Sequence, residues 1–184
     1  MRISSGDLKG KKIVTKKGFS TRPLLSRVRK SLFDILGEGI RGKDFLDLYA
    51  GSGAVGIEAL SRGAKRACFV EIDPECVKII KENLIRCGVL EKARIYQADV
   101  LKILSFILKK EHYDFIFIGP PYFEGLQDKT LEIIESLNDY EGEVIVQHSP
   151  LESVDFKREN FNLIEERKYG DICLTFLFKR KDEK

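Results

Sequence analysis

The chain has 184 residues, of which 43% are hydrophobic and 33% charged, a length suited to one domain with its own core and a balance that excludes a disordered polymer. No apolar run approaches the roughly 18 residues of a membrane-spanning helix, and no apolar stretch follows the basic amino terminus as in a secretory leader, so a cytoplasmic protein is expected. The net charge of +3 hides an asymmetry: residues 1–43 hold 12 Lys/Arg against 3 Asp/Glu, while the other 141 residues hold 20 against 26. A lopsided basic arm is the footprint of a polyanion site, although a solvated face would carry the same charge.

In chain order, residues 2–15 read as extended and basic, with turns at Gly6 and Gly10. Thr21-Arg22-Pro23 is a break, because the residue before proline avoids the helical region. Leu25 to Leu36 is a helix with Leu25, Val28, Leu32, Ile35 and Leu36 on one face, stopped by Gly37. Asp44–Leu48 is a short apolar strand, followed by a glycine loop and a helix to about Arg62. A second strand, Ala67–Val70, ends at Glu71. Asp73-Pro74 caps a helix to about Cys87. Arg94–Gln97 is a third strand, Val100 to about Lys109 a helix, and Tyr113–Ile118 a continuous apolar strand of the kind covered on both faces. A helix over about Asp128–Leu137 and a strand over Glu143–Gln147 follow. Asn162–Lys168 and Ile172–Phe178 pair as a hairpin across Tyr169-Gly170-Asp171. Alternating strands and helices imply a Rossmann-like, doubly wound α/β fold. Its sheet is seven-stranded and mostly parallel, with an antiparallel terminal hairpin. The expected organisation is one domain, a basic extension over 1–24 and a core over 25–184. Ligands bind such sheets beyond the carboxyl ends of the strands.

Four segments at those ends carry chemistry. Gly51, Ser52 and Gly53 form a tight turn after the first strand, and the spacing to Gly56 matches a dinucleotide fingerprint, which alone is weak. Asp47, just before the loop, would repel a pyrophosphate and welcome an ammonium such as that of a methionine moiety; a capping aspartate in a tight turn is the plainer alternative. Glu71 can hold two ribose hydroxyls, with Ile72 beside it, and serves any nucleoside ligand. Asp73 reads as a cap. Asp99 can accept from an adenine amino group while Val100 packs on the ring, or it can simply cap the next helix. Gly119-Pro120-Pro121-Tyr122 makes a rigid loop after the fourth strand. Its carbonyls can orient an amine, and Tyr122 offers a face on which a flipped base can stack. His112 and His148 read as structural. The four cysteines (Cys68, Cys76, Cys87 and Cys173) show no metal spacing, so no metal site is expected and they read as small apolar residues in a reducing compartment.

These segments in this order resemble the class I methyltransferases with an Asn/Asp-Pro-Pro-Tyr motif. Arg2-Ile-Ser-Ser-Gly6 with Lys9-Gly-Lys-Lys-Ile13, Thr21-Arg-Pro23, Arg27-Val-Arg-Lys-Ser-Leu-Phe33, Leu46-Asp-Leu-Tyr-Ala-Gly-Ser-Gly-Ala54, Glu58-Ala-Leu-Ser-Arg-Gly-Ala64, Phe69-Val-Glu71 and Tyr169-Gly-Asp171 are more closely similar to the bacterial 16S rRNA guanine-N2 methyltransferase family (ribosomal small subunit methyltransferase D). The resemblance implies methylation of a guanine N2 amine in small-subunit rRNA, or in the small-subunit particle, with S-adenosylmethionine as methyl donor. By position, Asp47, Gly51, Gly53, Glu71 and Asp99 would line the cofactor, and Pro120, Pro121 and Tyr122 would hold the base. The basic arm would face RNA, with Arg2, Lys11, Lys12, Lys16, Lys17 and Arg22 as its contacts. A monomer is expected. One position departs from the family pattern, which has Asp where this chain has Gly119. Losing that charge-assisted contact to the amine would cost about 2–3 kcal/mol, roughly 30- to 150-fold in rate.

Other readings stay open on the sequence. The acceptor could be an adenine N6 amine in RNA or DNA, or a protein glutamine amide. The glycine spacing could serve a nicotinamide-dependent oxidoreductase, against which stand Asp47, the Pro-Pro-Tyr loop and the lack of room for a substrate domain. Gly119 could mark an RNA-binding protein that no longer catalyses.

Overall fold

The computed structural model describes residues 1–16 and 25–181. The Thr21-Arg22-Pro23 break, Lys17 and Arg22 lie outside them. Seven strands form one sheet: β1 (Asp44–Leu48), β2 (Arg66–Glu71), β3 (Ala93–Gln97), β4 (Phe115–Ile118), β5 (Gly142–His148), β6 (Phe161–Tyr169) and β7 (Ile172–Lys179). Their order is β3-β2-β1-β4-β5-β7-β6. The first five are parallel, and β7 inserts antiparallel between β5 and β6. The doubly wound sheet and terminal hairpin expected from the strand–helix alternation are therefore present. The chain winds outward from β1 to β3, then returns across β1 to β4, which puts the switch point between β1 and β4.

Alternation along the central strands explains why both faces are covered. Phe45, Phe115 and Phe117 join a core built with α1 (Ser26–Leu36), α2 (Ala54–Ser61) and α3 (Pro74–Cys87). Leu46, Leu48, Ile116 and Ile118 point the other way, toward α4 (Val100–Lys110) and α5 (Leu126–Glu135). Helix α5 starts two residues before its expected position, because Gly125 adopts the left-handed conformation (φ 64°) that turns the chain into it. Among the described residues, no helix is long and apolar enough to cross a membrane.

The amino-terminal arm departs from expectation. It is not an extended appendage beside a core that begins at residue 25. Arg2 bridges to Lys12 in antiparallel fashion, and Ile3, Leu8 and Ile13 are buried in the same core as α1–α3. These apolar residues are spaced among lysines, so the charge dominates the sequence and conceals them. The anchor is Glu58 on α2, fully buried. It accepts from the Ser4 amide at 3.0 Å, the Ser5 amide at 3.0 Å and the Ser4 hydroxyl at 2.5 Å, and pairs with the equally buried Arg29 of α1 at 3.1 Å. Arg29 also donates to the Arg2 carbonyl at 2.7 Å. A buried pair of this kind persists only because its remaining hydrogen-bonding capacity is met, here by the arm's own backbone.

Candidate active site

The parallel register aligns Leu48 with Val70 and Glu71 with Gln97, so the chemistry-bearing ends of β1, β2 and β3 lie side by side. Beyond them opens a cleft lined by Asp47, the 49–52 segment, Cys76, Ile79, Phe117, Gly119 and Gln147. Asp47 is 1% exposed and accepts the Gly56 amide at 2.8 Å. Burial pushes its carboxyl up to about 8, and the nearby Glu71 charge adds to this while the Gly56 hydrogen bond opposes it. Glycine is required at 56, since a Cβ there would lie 2.4 Å from the Phe69 ring.

Glu71 holds the loop in shape. One carboxylate oxygen accepts the Gly51 amide at 2.8 Å and the other the Asp73 amide at 2.9 Å. Asp73 caps α3 through the Glu75 amide, as read from the sequence. Asp99 caps α4, accepting from the Leu101 amide at 3.0 Å; that was the plainer of its two readings, and it engages one of two carboxylate oxygens. Val100 is only 3% exposed and belongs to the α4–α5 core. Ile72, 63% exposed, is the apolar surface available on that side.

At the other side of the switch point, the Gly119 amide donates to the Leu48 carbonyl at 3.3 Å, which brings the Pro-Pro-Tyr loop against the glycine loop. Pro120 is buried, and Pro121 and Tyr122 are half-buried. The Tyr122 hydroxyl accepts from the Gln147 side-chain amide at 2.8 Å, and its ring meets Phe123 edge-on at 6.4 Å. A Cβ on Gly119 would sit 2.7 Å from the Phe117 ring. Among the described residues, Phe123 and Tyr49 are the non-glycine positions with left-handed backbones, φ 62° and 60°. Both flank this site, where such strain commonly collects. The Phe123 amide is fixed by the Glu152 carboxylate at 2.5 Å, and the Tyr49 hydroxyl lies 2.8 Å from the Thr130 hydroxyl.

Tyr49, Phe117 and Gln147 line the cleft without having been singled out in the sequence. The signal for Gln147 was its place at the end of the fifth strand: Ile118 pairs with Val146, so the next residues, Gly119 and Gln147, are neighbours. Tyr49 stood inside the loop motif, but only φ reveals its strain.

The basic residues of the arm differ in the contacts they make within the protein. Arg2 donates to the Gly10 carbonyl at 2.6 Å, and the Lys11 ammonium to the Cys87 carbonyl at 2.7 Å. Lys16 pairs with Asp73 at 2.7 Å and Glu75 at 2.5 Å. Lys16 is half-buried by its contacts, while Arg2 and Lys11 keep exposed surface, as do Lys12, Lys9 and Arg27. His148 is buried, with its ring nitrogens 2.9 Å from the Thr175 hydroxyl and 3.0 Å from the Ser149 carbonyl, and His112 lies far from the cleft on the surface before β4. All four cysteines are buried thiols, and among the described residues no cluster could hold a metal ion.

Comparison with known proteins agrees with this architecture. Residues 1–178 match the family described as "Conserved hypothetical protein 95". Ribosomal RNA small subunit methyltransferase D of Buchnera aphidicola is 36% identical over 138 residues, which cover 73% of this chain and 69% of that protein. A solved hypothetical protein of Thermus thermophilus superposes with TM-score 0.78 at 35% identity, over 96% of this chain and 98% of that one. An RNA methyltransferase of Salinibacter ruber, solved with S-adenosyl-L-homocysteine, shares the fold at TM-score 0.68 and 16% identity, over 89% and 97% of the two chains. The chain belongs to the Conserved hypothetical protein 95 family, in the company of the ribosomal RNA small subunit methyltransferase D proteins that its sequence resembles.

Proposed function

We propose that this protein transfers a methyl group from S-adenosylmethionine to the N2 amine of a guanine in 16S rRNA, acting as a monomer in the cytoplasm. The observation that carries the reading is that Asp47 and Gly119, the ends of β1 and β4, line one cleft at the switch point. The residues there fit the cofactor. A buried carboxylate suits an ammonium and not a pyrophosphate, which also disfavours a nicotinamide cofactor. Glycines at 51 and 53, with φ 55° and 73°, let backbone approach the ligand, and Glu71 and Ile72 offer a carboxylate and an apolar face for a nucleoside.

When bound, S-adenosylmethionine supplies an electrophilic methyl group on its sulfonium. Asp47 would hold the amino group, and Glu71 the ribose. Pro120 and Pro121 would keep the loop rigid, and Tyr122, braced by Gln147, would stack on the flipped base. The Gly119 backbone carbonyl would accept from the target amine in place of a carboxylate. An amine needs orientation more than a strong base to attack a sulfonium methyl. The names of relatives acting on ribosomal RNA and the exposed cations Lys9, Lys12 and Arg27 support RNA as substrate.

The test is methyl transfer from labelled S-adenosylmethionine to small-subunit particles lacking the modification, followed by nucleoside analysis. Label in N2-methylguanosine is the expected result. Label in N6-methyladenosine would replace the base assignment. Cofactor binding without transfer would support a binding protein disabled at Gly119.

A further inference from the structure

The arm that the charge pattern assigns to RNA also reaches the cofactor cleft. Thr15 and Lys16 line it, together with Ser52 and Cys76. Two attachments hold them there. Asn83, fully buried on α3, accepts the Val14 amide at 2.7 Å, donates to the Val14 carbonyl at 2.9 Å, and donates its other amide hydrogen to the Ser52 carbonyl at 2.9 Å. One side chain thus ties the arm to the glycine loop. On the far side, the Lys16 ammonium bridges Asp73 and Glu75 at the amino end of α3. The Asp73 amide is itself held by Glu71.

We infer that residues 14–16 form part of the cofactor-binding site: a strap over the cleft between the glycine loop and α3, with Asn83 as its positioning residue and Lys16 as its outer fastening. The inference rests on the proposal that this cleft takes S-adenosylmethionine. Its two ends differ in strength. The Asn83 end is buried and fully hydrogen-bonded, so removing it leaves unpaired backbone groups. The Lys16 end is solvent-accessible and held by ion pairs that are individually weak. A ligand entering the cleft therefore parts the strap at Lys16, and an occupied cleft holds the strap down. Cofactor binding thereby reaches the same arm that presents Lys9 and Lys12 to solvent.

The experiment is hydrogen exchange of the intact protein with and without S-adenosylhomocysteine, joined to stopped-flow dissociation of that ligand. Amides of residues 14–16 are expected to gain protection together with those of 51–53. In Lys16→Ala, dissociation is expected to be at least about two- to fivefold faster, because two solvent-accessible ion pairs are lost. Asn83→Asp keeps an acceptor for Val14 but loses both donations, and it is expected to lose the added protection at 14–16. Protection confined to 47–56 and 71–73, with an unaltered off-rate in Lys16→Ala, would overturn the strap. No protection anywhere and no binding would overturn the cofactor assignment itself.

Discussion

Asp47 is pulled between folding and binding. Its carboxyl sits in a nearly dry pocket with one backbone hydrogen bond, and burial raises it to about 8. The sign of the linkage follows. The folded protein holds this proton more tightly than the unfolded chain, so the associated stability is fully present below the ordinary carboxylate value near 4 and is lost as pH rises through about 8. Ligand affinity moves oppositely, because an ammonium needs the ionised form. Asp47→Asn keeps the acceptor for Gly56 and removes the titration. It is expected to flatten the fall in melting temperature between pH 6 and pH 8.5, while weakening S-adenosylhomocysteine about tenfold or more, the worth of a charge-assisted hydrogen bond. Thermal melts and calorimetric titrations of both proteins check this. An unchanged pH dependence of stability in the variant would mean that Asp47 ionises freely.

At the scale of elements, β4 and the loop after it pose the question of Gly119. Phe117, two residues earlier, turns its ring into the space a side chain at 119 would enter. Alanine and aspartate at this position pay that steric toll alike, about 1–3 kcal/mol of stability, but only aspartate brings an acceptor for the amine. Gly119→Asp is therefore expected to exceed Gly119→Ala in single-turnover methyl transfer, by roughly 30-fold or more. Equal rates would show that the amine is oriented by the backbone alone. The steric half of this comparison was hidden in the sequence, where Gly119 reads simply as a missing acid. What was legible was periodic or punctuated: the apolar run of β4, the Asp73-Pro74 cap and the Asp47-to-Gly53 loop, all governed by local backbone rules. What was not legible depended on distant partners. The burial of Val100 comes from its packing in the α4–α5 core, which its place beside Asp99 does not announce. Asn83 lies on a helix with no motif around it, and only the fold brings Val14 and Ser52 to it.

The whole molecule divides its charge between a basic first quarter and an acidic remainder, but much of the basic quarter serves the protein itself. Arg29 is buried on Glu58, Lys11 meets a helix carbonyl, and Lys16 is neutralised by two carboxylates. Exposed cations such as Lys9 and Lys12 stand on an arm fixed to α2 and α3 through Ile3, Leu8 and Ile13. A rigid arm presents its charges in register and loses little freedom when a phosphate backbone docks, so each contact should appear nearly whole in the salt dependence. For single-stranded RNA, each phosphate neutralised contributes about 0.7 to the slope of log affinity against log salt. Lys9→Ala with Lys12→Ala is thus expected to lower that slope by about 1.4, or by about 0.7 if one of the two meets a phosphate. Lys16→Ala should leave the slope near its starting value, because that ammonium already has its counter-ions within the protein. Fluorescence anisotropy with a labelled rRNA fragment over a salt series separates the cases. A fall with Lys16→Ala as large as with the double variant would mean that the fastening opens when RNA binds and that Lys16 then turns outward to a phosphate.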